Sequence, residues 1–141
     1  MEMLYPDKID LGKLILGDEH YSYTFTIVNP EGLSESSVKL ALEIVYEYFV
    51  RNYRIKLAHW HYFAGTPSLF NFHFKFWESP GLTLGEFSQE IREFALDYYL
   101  DLQVKDSYIW KPSKWPLILL GGLGLLTLGL CLRKEEQLRN R

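Results

Sequence analysis

Apolar and polar residues alternate cleanly at two places in the chain, Tyr21 to Ile27 and Phe70 to Phe76. In the first, Tyr21, Tyr23, Phe25 and Ile27 fall on one side and Ser22, Thr24 and Thr26 on the other. In the second, Phe70, Phe72, Phe74 and Phe76 oppose Asn71, His73 and Lys75. A period of two marks a strand buried on one face and open on the other. Each alternating run has a weaker companion before it. Residues 8–16 read as a strand of mixed quality, and Gly17-Asp18-Glu19 as the turn that folds it back into a hairpin. Residues 54–63 read as a further strand, joined by the Gly65-Thr66-Pro67 turn to residues 69–77.

Between and after the hairpins the period changes to that of a helix. Ser34 stands as an N-cap before a helix running from about Glu35 to Asn52, with Val38, Leu42, Val45 and Phe49 at helical spacing. Lys39, Glu43, Glu47 and Arg51 follow at steps of four on another face, the pattern of a solvated side. Thr83 and Glu86 match a capping box, opening a second helix that the pattern extends to about Leu102. Its apolar face is Phe87, Ile91, Phe94, Ala95 and Tyr98. Glu86, Glu90, Glu93, Asp97 and Asp101 form an acidic stripe opposite, also read as a solvated face.

A shift of 49 residues, Tyr21 onto Phe70, superimposes the halves and carries Gly32-Leu33-Ser34 onto Gly81-Leu82-Thr83. The order is therefore ββαββα, a duplicated ββα unit. The expected α+β fold is a four-stranded antiparallel sheet with two helices on one face. Placing Ala58, Trp60 and Tyr62 beside the phenylalanine row turns His59 and His61 toward Asn71 and His73 on the other face.

The longest apolar run comes last. Leu117 to Leu132 contains no charged residue, and its sixteen positions make about 24 Å of helix, close to a bilayer core of ~30 Å. Pro116 suits the first turn. The chain thus divides into a domain at 1–107, an aromatic and basic linker at 108–115, a single transmembrane helix at 116–132 and a charged tail at 133–141. Trp110 and Trp115 are placed at the near headgroup zone, and Arg133 and Lys134 stop the run on the far side. Gly122 and Gly129 share a helix face suited to packing against another transmembrane helix. The residues opening the chain carry neither a basic nor an apolar signal region, so the expected topology is single-pass and tail-anchored, with the amino-terminal domain cytoplasmic.

Charge separates the parts. Up to Ser107 acidic residues outnumber basic ones sixteen to nine; from Tyr108 onward six basic face two acidic. An acidic domain is a poor ligand for phosphate backbones, so no nucleic-acid partner is expected. The single cysteine, Cys131, lies in the apolar run and gives the domain no disulfide. There is no GxxxxGK[ST], GxSxG, HExxH, CxxC or GxGxxG, so neither enzymatic activity nor a cofactor is expected. One cluster could carry chemistry: His59 and His61, with His73 across the hairpin, form a conceivable three-imidazole metal set.

These features describe a non-catalytic, membrane-anchored subunit or adaptor that recruits or braces partners in a membrane-bound assembly, a viral or phage membrane component included. Its expected partners are membrane lipid and either other membrane proteins or further copies of itself. The alternative is a tethered module that holds a small ligand or a metal on the open sheet face.

Overall fold

A computed structural model describes residues 4–28 and 33–112 of the chain. The body considered below is Pro6–Trp110. Leu4 and Tyr5, and Lys111 and Pro112, are the outer ends of its first and last strands. Among the described residues the chain forms β1 (Leu4–Lys8), β2 (His20–Val28), α1 (Glu35–Asn52), β3 (Ile55–Phe63), β4 (Ser68–Phe76), α2 (Leu84–Leu96) and β5 (Asp101–Pro112). The strands lie in the order β1-β5-β2-β4-β3. The class is α+β as expected, but the sheet has five strands.

The strongly patterned elements fall where the sequence puts them. Ser34 accepts from Ser37 N–H and caps α1; Thr83 and Glu86 form a reciprocal capping box on α2. In the β3–β4 pair Ala58 faces Phe74, Trp60 faces Phe72 and Tyr62 faces Phe70, so His59 lies opposite His73. Both helices cover the aromatic face. Tyr46 of α1 meets Phe72 and Trp60, while Phe87 of α2 touches Phe72, Phe74 and Phe76. The four phenylalanines of β4 and their β2 counterparts Tyr21, Tyr23, Phe25 and Ile27 are all buried.

Three expectations are corrected. Residues 9–16 are not a strand and make no hairpin with β2. Asp10 closes a tight turn (Lys13 N–H to Asp10 C=O, 3.0 Å), and the chain then runs beside the start of α2. There Ile15 N–H donates to Leu82 C=O at 2.9 Å and Gly85 N–H to Leu11 C=O at 2.7 Å. The apolar residues that suggested a strand, Ile9, Leu11 and Ile15, plug the core from that side. Second, α2 stops at Leu96 instead of about Leu102, because Tyr99 takes a left-handed φ of 65° and Leu100 N–H turns back to Ala95 C=O. Third, the residues that follow form β5, so 108–112 continue the sheet where a linker was expected.

The two halves do not form the expected pair of ββα hairpin units. β2-α1-β3 and β4-α2-β5 are the two units, and each is a split βαβ with a strand of the other unit between its own two. Together they make the βαββαβ order of ferredoxin-like sheets, with β1 added beyond β5. Tyr23 and Phe72, 49 positions apart (72 − 23), face each other directly in the β2–β4 pair. The same shift carries β3 onto residues 104–112, inside β5.

Gly17 marks the tightest passage. A β-carbon there would lie 2.8 Å from Glu78 Cα and 2.9 Å from Trp77 O, both backbone atoms that cannot swing aside. Gly17→Ala is expected to cost about 2 kcal/mol, read as a lowered denaturation midpoint with an unchanged slope.

Candidate functional site

Helices cover one side of the sheet; among the described residues none lies on the other. Strand alternation decides what that open side carries. β2 contributes His20, Ser22, Thr24 and Thr26, β3 contributes His59 and His61, β4 contributes Asn71, His73 and Lys75, and β5 contributes Tyr108 and Trp110. All four histidines of the chain are therefore on one face.

They also meet. The ring nitrogens His20 Nε2 and His73 Nδ1 are 2.9 Å apart, one donating and the other accepting. The His59 ring stacks on His73 with centroids 4.1 Å apart and planes 14° from parallel, and His61 stands edge-on to His59 at 5.7 Å. On the far side the Trp110 indole stacks on His20 at 5.7 Å and donates Nε1–H to Ser22 Oγ at 2.8 Å. Ser22 is itself buried beneath this layer. The result is a continuous strip of rings across β5, β2, β4 and β3, about 14 Å long at ~4.8 Å per strand spacing. Beside it Asn71 Oδ1 is buried with no hydrogen-bond partner among the described residues.

The electrostatics follow from this crowding. Burial, and then the neighbouring His59 and Lys75, push His20 down to about 4. Burial, followed by His59, His20 and His61, pushes His73 down to about 3. His59 is lowered by burial and then by His61. At neutral pH the centre of the strip is thus uncharged. Neutral imidazoles offer hydrogen-bond donors, acceptors and flat apolar faces, a combination suited to binding.

The expected metal residues His59, His61 and His73 are neighbours, but His73 gives Nδ1 to His20 and a ring face to His59. Among the described residues no three His, Cys, Asp or Glu side chains converge to hold a metal ion. The acidic stripe of the second helix is dispersed. Glu86 serves the capping box, Glu90 accepts from Tyr53 Oη–H, Glu93 accepts from Gln89, and Asp101 belongs to β5. Burial and then Glu90 raise the Tyr53 phenol, so that tyrosine holds its proton.

Of the expected membrane residues, Trp110 is a strand residue whose ring is taken up by the histidine strip. Trp115, Gly122, Gly129, Arg133 and Lys134, with the whole 116–132 run, lie outside the described residues. No helix among the described residues is long and apolar enough to cross a membrane.

The sequence reading missed His20 and the part played by Trp110. Carrying the β2 alternation one residue back would have put His20 beside Ser22. The 49-residue shift would have laid Trp110 on His61 (61 + 49 = 110). No protein-family model matches this chain, and no curated protein or solved structure is significantly similar to it.

Proposed function

We propose that this chain is a non-catalytic, single-pass membrane protein that recruits or braces partner proteins in a membrane-bound assembly, with the uncovered sheet face as its docking surface. The observation that carries this is the strip itself, a layer of four imidazoles and one indole, with an uncharged centre at His20, His59 and His73, on a face that no described helix covers. The centre of such a surface loses little on desolvation, because its neutral rings need no ion stripped of water, and its aromatic rings are of the kind enriched at protein interfaces. The apolar run at 116–132 supports the anchoring, and the domain is assigned to the cytoplasmic side.

A second reading, a small-ligand or metal module, is favoured by the gathering of all four histidines; His20 would then join His59, His61 and His73. One preparation separates the two. The tagged full chain is purified natively in mild detergent beside His59→Glu and His73→Glu variants. Defined partners in fixed ratio, lost from the variants, are the expected result. A monomer that carries stoichiometric metal, or takes up added Zn²⁺ or Cu²⁺ in a titration abolished by His59→Ala, would favour the second reading. Neither partners nor metal would refute both.

A further inference from the structure

The two edges of the sheet are built differently. β1 is five residues long and carries Pro6, Asp7 and Lys8, a short edge blunted by a residue without an N–H and by charge. β3, at the other end, runs nine residues from Ile55 to Phe63 with one charge, Lys56, and no proline. Among the described residues nothing pairs with its outer side. Alternate N–H and C=O groups along it therefore point outward as a template for another strand.

The core stops short at this edge as well. The inward residues of β2 and β4 are buried, whereas Ala58, Trp60 and Tyr62 of β3 are only half-buried although they point to the same side. At the opposite side of the sheet, residues 9–15 close the core with Ile9, Leu11 and Ile15; β3 has no such cover among the described residues. On the open face Leu57 and Phe63 stand 61% and 50% exposed.

We propose that β3 pairs with β3 of a second copy of this chain, antiparallel and centred on Trp60, joining two sheets into one. The strand is self-complementary in that register. Leu57 falls opposite the partner's Phe63, so the two exposed apolar side chains cover each other. Ala58 falls opposite the partner's Tyr62, small against large, and His59 opposite the partner's His61, which extends the ring strip across the joint. Lys56 meets no like charge within the paired residues. A register slipped by two residues, centred on His59, would set Leu57 against the partner's His61 and leave Phe63 without an apolar partner on the open face. This inference concerns an edge and does not rest on the docking role of the face.

The test is a charge swap in the full chain, in mild detergent, with association followed by sedimentation and folding by circular dichroism. Leu57 and Phe63 are exposed, so their replacement leaves the core intact. Leu57→Lys with Phe63→Lys sets like charges opposite each other twice and is expected to weaken the dimer at least about tenfold. Leu57→Lys with Phe63→Glu sets opposite charges there and is expected to keep it. Separately tagged His59→Cys and His61→Cys chains, in a Cys131→Ser background, should cross-link to each other and far less to themselves, since directly opposed residues suit a disulfide and diagonal ones are too far apart. A monomeric wild type overturns the proposal. So does a dimer indifferent to both charge variants, which would place the association elsewhere in the chain.

Discussion

Phe87→Ala is expected to be the most damaging single truncation in the domain, lowering stability by about 3–5 kcal/mol. Phe87 is fully buried, and its ring lies within 6.5 Å of those of Tyr23, Phe49, Tyr53, Phe72, Phe74 and Phe76. It is the point where α2, α1 and the two central strands share one contact. Removing it leaves a cavity walled by rings that are themselves held by the sheet and cannot collapse inward. Since a domain of this size holds about 5–15 kcal/mol in all, the variant should be largely unfolded in mild denaturant. Phe74→Ala, one strand face away from His73, should cost nearly as much. His73→Ala should cost well under half of that, because the ring is half-buried and its loss releases two histidines from crowding. Equal losses at positions 73 and 74 in denaturant titrations would mean that the wrong sheet face has been assigned to the core.

Acid is expected to weaken the fold through the same strip. His20 and His73 bind protons with difficulty in the folded protein, at about 4 and about 3, and more readily once unfolded. Between pH 6.5 and those values the unfolded chain holds more protons than the folded one, so stability falls as pH falls. The contribution is fully present above pH 6.5, is lost progressively down to about pH 3–4, and is flat below. Both rings are partly open to water, which screens the effect, so the pair together should account for about 2–3 kcal/mol. The shared hydrogen bond adds to this, since two imidazolium rings would both be donors and could not keep it. Carboxylates titrate over part of the same range, so the informative comparison is with a His20→Asn, His73→Asn double variant. Its loss of stability between pH 7 and 4.5 should be visibly shallower than that of the parent. A parallel pair of curves would remove the histidines from the account.

The elements that could be read from the sequence are those whose local signal and tertiary place agree. β2 and β4 alternate without a break because each buries one whole face, and α1 and α2 begin at side-chain caps that need no tertiary information. β5 was illegible for a definite reason. Its register shifts opposite Thr24 and Phe25, so the inward set runs Leu102 and Val104, then Ser107 and Ile109. The extra residue breaks the alternation, and a buried serine, bonded to Ile9 C=O, occupies a core position. β1 hid because as an edge strand it exposes every residue and so has no pattern to show. Residues 9–16 misled in the other direction: apolar in composition, they fill a gap without extending. At the site, His59, His61 and His73 could be brought together from one hairpin, whereas His20 and Trp110 reach them only through the β2–β4 and β2–β5 pairings.

The interleaving of the two βαβ units has a kinetic meaning. The central pairing joins residues 49 apart (Tyr23 with Phe72), and the one beside it joins residues 88 apart (Tyr21 with Ile109, 109 − 21). Neither half can assemble its own sheet first, since the strand between its two strands belongs to the other half. The early, local product of folding is the β3–β4 hairpin; every further strand must close a long loop before its contacts repay the entropy. During synthesis the amino-terminal half therefore emerges with α1 and β2 still lacking the surface that buries them. It must wait for β4, which stands well past the midpoint of the domain.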